Sequence, residues 1–403
     1  MGTIHDVRYF DSDMAGAPST AGMAAAGRMI ALLDACLVNG FNLKSVTSLV
    51  VADGVATVTT DGDHNFRDHT VIRIAGATPD GLNGDWKITL TGGATFTFPT
   101  TEANGTATGT ISAKTAPLGW TKEFSASHVG VYRPKTGLRH YFRVNDTSAY
   151  VLQYRGYEAM TGAGDGGTNP FPTATQLPAG VGMSKYYTNV AYVQKWFLIG
   201  DDRCVYLVYN GAESYGVSQD SGDWAIYGFG EAISYVPGDL GHSFVIGNNA
   251  TSWSPYANQN GSGVPGGFYT HSYTGCYFSR PYSQELGSPV RFRIAGNAIC
   301  QGWGSSPNAY GRVPYPNPAD LSLLFHTPIW MQEETSKAVR GELPGPYQPL
   351  HSYMHARIGD VVVVNGRKIL LTHAFDADSG GDGVNSAGAG TGVMGWDITG
   401  PWR

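Results

Sequence analysis

Short runs of β-branched and aromatic residues, cut by tight-turn dipeptides, recur along this chain and restrict it to a mainly β architecture. Leu49-Val50-Val51 and Val55-Ala56-Thr57-Val58 flank Asp53-Gly54. Asp360 to Asn365 and Arg367 to Thr372 flank a turn at Asn365-Gly366. Asp-Gly and Asn-Gly supply the positive φ angles that two-residue hairpins need, so each pairing predicts a hairpin. Val129 to Arg133 and His140 to Val144 flank a Pro-Lys-Thr-Gly turn, and Ala149 to Arg155 follows as another strand. Trp196 to Gly200 and Cys204 to Tyr209 are joined by Asp201-Asp202-Arg203. One stretch departs from this pattern. Met29, Ile30, Leu32, Leu33, Cys36 and Leu37 recur at helical spacing, which predicts a helix over Ala21–Val38 that stops at Asn39-Gly40.

The style changes between residues 45 and 114, which are rich in Thr, Val, Gly and Ala in short alternating runs. Strands are expected at Val71 to Ile74, Trp86 to Leu90, Thr95 to Phe98 and Thr106 to Ile111, with a double turn signal over Pro79 to Gly84. So many short strands in so few residues suggest a small β-sandwich or barrel. The aromatic-rich style resumes at Gly119-Trp120. The expected organisation is therefore a discontinuous β-rich domain of residues 1–44 plus 115–403, with residues 45–114 inserted as an immunoglobulin-like β-sandwich at a surface loop, where a longer connection adds little closure entropy. Met160 to Gly182 and Gly247 to Gly267 are too long and too rich in Gly, Ser, Asn and Pro for tight turns; in a compact enzyme such loops would serve as lids, and in an assembly protein they more often order against neighbouring subunits.

Composition excludes several classes. Only 14% of residues are charged and the formal net charge is −6, which disfavours a general nucleic-acid coat. The apolar runs are far shorter than the ~20 residues of a membrane span. The N-terminus lacks a basic region followed by an apolar stretch, so no signal peptide is expected. Cys36, Cys204, Cys276 and Cys300 form no C-x-x-C pair and are expected to be buried reduced thiols, consistent with assembly in a reducing cytosol.

No motif specifies a reaction. Gly241-His242-Ser243-Phe244-Val245 begins like a nucleophile elbow, but Val245 stands where the tight turn needs glycine. His351 and His355 have the spacing of a metalloprotease helix, yet Ser352 replaces the general-base glutamate. Asp376, Asp378 and Asp382 share a glycine-rich loop whose oxygens suit calcium, but Gly380 falls where a third ligand belongs, so a polar turn is the expected reading. Glu333-Glu334 is expected to be a solvated charge pair, not a pair of glycosidase carboxylates. No catalytic, cofactor-binding or metal-binding residue is therefore assigned. The 9 Trp, 23 Tyr and 16 Phe, set against so few charges, favour an extensive subunit interface.

Three segments carry a resemblance: Asp11 to Pro18, Ile30 to Phe41, and Gly119 to Phe124. They resemble structural proteins of tailed bacteriophages. The segment Ile74 to Gly84 resembles the small immunoglobulin-like modules of phage virion proteins, and the likeness extends more loosely through Phe229-Gly230-Glu231 and Arg340 to Gly345. The resemblance implies a non-enzymatic virion component assembled in the host cytoplasm, most naturally part of the tail at its tip, baseplate or connector. Its partners would be copies of itself, as a trimer or ring, and neighbouring tail proteins, with the inserted module projecting outward. Two other virion roles fit the same residues: a receptor-binding short tail fibre that recognises host surface polysaccharide, and a head decoration protein. A polysaccharide-degrading tail enzyme would need paired carboxylates facing a groove, for which the sequence gives no signal.

Overall fold

The computed structural model describes residues 6–20, 25–185, 194–210, 224–249, 275–295, 314, 316–351, 357–373 and 393–403. Among the described residues the fold is mainly β, in four antiparallel sheets, with a short helical segment over residues 28–39 and a single 3-10 turn at Asp80–Leu82. The largest sheet has ten strands, running from Arg8–Asp11 at one edge through Trp196–Gly200, Cys204–Asn210, Trp224–Glu231 and Ser243–Ile246 to Val339–Leu343 and Ile233–Ser234 at the other. Residues of Trp224–Glu231 are buried along its whole length, as expected of a strand covered on both faces.

Alternation along the strands shows what covers each face. Val205 pairs with Phe229, and Phe229 stacks on Phe142 with centroids 4.6 Å apart. Phe142 belongs to Tyr141–Asn145 of a seven-stranded sheet, which therefore covers this face. Tyr206, one residue on, points the opposite way and lies 4.8 Å from Trp396. Trp396 belongs to Val393–Asp397 of a five-stranded sheet, which forms the third layer. One continuous apolar core joins these layers.

The predicted hairpins form as their turn chemistry requires. Asp53 and Gly54 both take positive φ, 50° and 78°, as do Asn365 and Gly366 at 51° and 78°. Three expectations are corrected. The helix begins at Arg28, not Ala21, because Gly27 is left-handed at φ 82° and closes the N-terminal end; residues 21–24 lie outside the described ones. Arg28–Leu33 is α-helical and then widens into a π-helix over Asp34–Asn39, closed by a Gly40 N–H to Ala35 carbonyl bond of 2.8 Å. Thr106 to Ile111 is not one strand. The strands are Gly105–Thr106 and Ser112–Thr115, and between them Gly109 passes so close to Gly76 that a Cβ would lie 2.2 Å from its carbonyl oxygen. The stretch from Met160 to Gly182 is not wholly loop, since Thr168–Phe171 pairs with Val151–Ala159.

The 12-residue strand Phe41–Ala52 leads into the inserted segment, and Ser112–Thr115 leads out beside it, with Phe41 opposite Thr115. Between them is a separate core that includes Leu49, Val58, Ile72, Ile74, Phe96 and Phe98. Phe41–Ala52 is shared by two halves of an eight-stranded sheet, with register shifts at Phe41/Lys44 and Val46/Ser48 that let it bend. On leaving, the chain returns to the helix end: the amide of Leu118 donates to Cys36 and those of Gly119 and Trp120 to Leu37, satisfying carbonyls that a helix terminus leaves open.

The segment is also tied to the body by its side. Asp85 accepts two hydrogen bonds from Arg73, at 2.6 and 2.9 Å, and one from Arg8 at 2.9 Å. Arg67 pairs with Asp11 at 2.8 Å, and Lys87 reaches the Ile398 carbonyl at 2.8 Å. The expected outward projection is thus qualified by a docked flank that engages both ends of the described chain.

Candidate functional site

At one end of the ten-stranded sheet, two loops rise side by side. Residues 235–242 precede Ser243–Ile246, and residues 279–289 connect Cys276–Phe278 to Val290–Ala295. Their root strands are neighbours, with Phe244 opposite Phe278. Glycine at Gly238 (φ 69°) and left-handed Gln284 (φ 65°) turn the two loops. Four large side chains stand out from them: Tyr235, Leu240, Tyr282 and Leu286, each at least half exposed, from 50% to 62%. Exposed apolar residues are ordinary when scattered; these four lie on two loops that adjoin, the Leu240 amide donating to Gln284 at 3.1 Å.

Beneath the loops lies a buried ion cluster. Arg340, on the edge-proximal strand Val339–Leu343, donates to both oxygens of Asp239 at 2.8 and 2.6 Å and to Glu333 at 2.9 Å. It also donates to the Arg280 carbonyl at 2.5 Å, and its guanidinium lies 4.8 Å from the Phe278 ring centroid. Arg340, Asp239 and Glu333 are almost wholly buried, each with side-chain exposure of 1%. Asp239 further accepts from Ser234 at 2.7 Å, the Gly241 amide at 2.8 Å and Gln284 at 2.9 Å. Burial alone would raise the Asp239 carboxyl; hydrogen bonds from Arg340 and Ser234 and the charge of Arg340 outweigh it and hold the carboxyl well below its ordinary range.

The cluster continues into the neighbouring layer. Arg280 grips Glu158 of Val151–Ala159 through two bonds of 2.5 and 2.9 Å, and Asn169 donates to the same carboxylate at 2.8 Å. Burial pushes nearby His140 below its ordinary value, against the pull of Glu158 and Glu231. At the rim, Tyr235 donates to Glu342 at 2.6 Å; partial desolvation and that carboxylate push its phenol up to about 12. The cluster fixes the loop backbone through Asp239, Gly241 and Arg280, which leaves less loop ordering to be done when a partner covers it.

The sequence-derived candidates fall elsewhere or take other roles. Ser243 is the first residue of a buried strand, so no nucleophile elbow forms, and His242 lies 2.6 Å from the Asp239 carbonyl and 3.5 Å from Glu231. His351 is buried and pinned between the Leu324 amide, which donates to it at 2.7 Å, and the Pro314 carbonyl at 2.9 Å; His355 lies outside the described residues. The Asp376 to Asp382 loop and Cys300 also lie outside them. Cys36, Cys204 and Cys276 are buried, and burial pushes their thiols up. The reading of Glu333-Glu334 as a solvated pair is corrected. The alternation of Ile329–Glu333 turns Ile329, Met331 and Glu333 inward, so Glu333 meets Arg340 and Glu334 alone remains outside, 3.9 Å from Arg291.

Among the described residues, no group of three or more His, Cys, Asp and Glu is placed to hold a metal ion, and no helix is long and apolar enough to cross a membrane. A cavity of about 30 Å³ between the layers, lined by Phe142, Leu152, Tyr154, Leu207 and Phe229 among others, is far below the roughly 300 Å³ of a small-molecule site. Tyr235, Leu240, Tyr282 and Leu286 were not singled out by sequence; the one available signal was their place in Gly/Pro-punctuated loops. Compared with known proteins, the chain matches no family model and no curated protein.

Proposed function

We propose that this chain is a structural component of a tailed-bacteriophage virion, part of the tail, and that it works by presenting the Tyr235–Leu286 loop surface to a neighbouring subunit. The virion context rests on the segments Asp11 to Pro18, Ile30 to Phe41 and Gly119 to Phe124. The mode of action rests on one observation: four exposed aromatic and aliphatic side chains on loops anchored by a buried Arg340–Asp239–Glu333 cluster. Interface hot spots are enriched in Tyr, and covering the exposed half of an aliphatic side chain such as Leu240 or Leu286 contributes roughly 1 kcal/mol. Closed symmetry satisfies the surface of every copy, so a trimer or ring is the expected form.

The test is native mass by light scattering after size exclusion, on the wild type and on Tyr282→Asp/Leu286→Asp. The wild type should run as a defined multiple of the chain, and the double variant should fall towards monomer with its circular dichroism unchanged. A wild type that stays monomeric at every concentration would overturn self-assembly through this surface. A second reading, attachment to host polysaccharide, is favoured by the exposed rings of Tyr235 and Tyr282, which suit stacking on sugars; saturable glycan binding abolished by Tyr282→Ala would select it.

A further inference from the structure

Asp146 and Lys185 form an ion pair enclosed in the body. The Lys185 ammonium lies 2.5 Å from one Asp146 carboxylate oxygen, and both side chains have zero solvent exposure. Lys185 follows the strand Val181–Ser184, and Asp146 follows Tyr141–Asn145 in the same sheet. Neither can swing away: the Lys185 amide donates to the Tyr150 carbonyl at 2.8 Å, its carbonyl accepts from Tyr209 at 2.9 Å, and the Asp146 amide donates to the His128 carbonyl at 2.8 Å. The second Asp146 oxygen accepts from the backbone amides of Met29 at 2.8 Å and Ile30 at 3.4 Å.

We infer that Lys185 and Asp146 are a self-modifying pair that condenses to an intramolecular isopeptide bond. The hydrogen-bond length puts the nitrogen and the carboxyl carbon about 3–3.5 Å apart, the separation of a near-attack pair. In so dry a setting the neutral pair becomes accessible by passing one proton along the existing hydrogen bond, from ammonium to carboxylate. Burial is also what lowers the Lys185 amine below its ordinary value. The amine lone pair then attacks the Asp146 carbon. The developing oxyanion falls on the oxygen already held by the Met29 and Ile30 amides, which act as its hole. The other oxygen leaves as water, taking one proton from the carboxylic acid and one from the amine, so the products are one amide and one water with no oxidant or co-reactant. Of the two carbonyls that accept from the ammonium, Ala25 at 2.7 Å and Ser148 at 3.0 Å, one keeps the remaining N–H. The bond would link the ends of two strands of the seven-stranded sheet, Tyr141–Asn145 and Val181–Ser184.

Mass spectrometry of the intact, full-length protein tests this directly. The wild type should be lighter than its sequence by one water, and Lys185→Arg should have its full sequence mass. Proteolysis of the wild type should give a branched peptide joining the Asp146 and Lys185 regions, with no tryptic cleavage after Lys185. A wild type of full mass overturns the proposal whatever the variant does. So does a water loss that maps elsewhere, with Asp146 and Lys185 recovered in linear peptides.

Discussion

Arg340 sits between two carboxylates: Glu333 is 7 positions away on the neighbouring strand of a hairpin, but no local pattern connects Arg340 to Asp239, 101 positions away. Arg340→Ala would strand both acids in a dry site, and removing one partner of a buried pair costs about 3–5 kcal/mol. Chemical denaturation should show that loss with an unchanged slope. The exposed loops should become protease-sensitive at the same time, because the cluster is what holds them. His140 gives a pH prediction at the same scale. Its folded-state value lies below the ordinary 6.5, so between the two values the unfolded chain binds more protons than the folded one. The stability it contributes is therefore present above 6.5 and is lost as the pH falls through that window. His140→Gln should flatten this part of a melting-temperature profile against pH, while the steeper loss at lower pH, where Asp239 protonates, should persist. Glu333 shows what was legible here. The alternation of Ile329, Met331 and Glu333 already pointed it inward, and Arg340 lies on the next strand of the same hairpin, but the Asp239 that completes the cluster could be found only in three dimensions.

Among the elements, hairpins were readable because their turns need particular backbone angles and announce the residues that supply them. The helix was less so. Its apolar spacing is real, but its start is set by Gly27, where a Cβ would lie 2.6 Å from the His128 ring, a contact from another part of the chain. Its end is set by Gly40, the hinge into the inserted segment. Gly40 has φ 74°, and a Cβ there would lie 2.3 Å from the Thr115 carbonyl oxygen. Gly40→Ala combines a left-handed penalty of about 1–2 kcal/mol with that clash, so it should destabilise by more than the penalty alone. Because Phe41 pairs with Thr115, amide exchange should accelerate first at Phe41 and at the amides of Leu118, Gly119 and Trp120 that close the helix end. Unchanged protection there would mean that the two strands are held by the segment's own core instead.

For the whole molecule, the question is whether the inserted segment behaves as a separate body. Its core contains only its own residues, which alone would predict independent motion. Against this stands Asp85, which faces Arg73 within the segment and Arg8 on the edge strand of the ten-stranded sheet. Burial alone would raise Asp85, but the two guanidinium groups outweigh it and hold the carboxyl below its ordinary range, so both cations draw on one charge. Arg8 has side-chain exposure of only 10% and is itself lowered by burial, so without Asp85 it becomes a poorly solvated, unpaired cation. Asp85→Asn should therefore do more than loosen a surface contact. Hydrogen exchange should speed up together at Val71–Ala75 and at Arg8–Asp11, whose partner strand is Trp196–Gly200, on opposite sides of the junction. If exchange rises only within residues 45–114, the segment is tied to the body by its two connecting strands alone, and the flank contacts do not couple it.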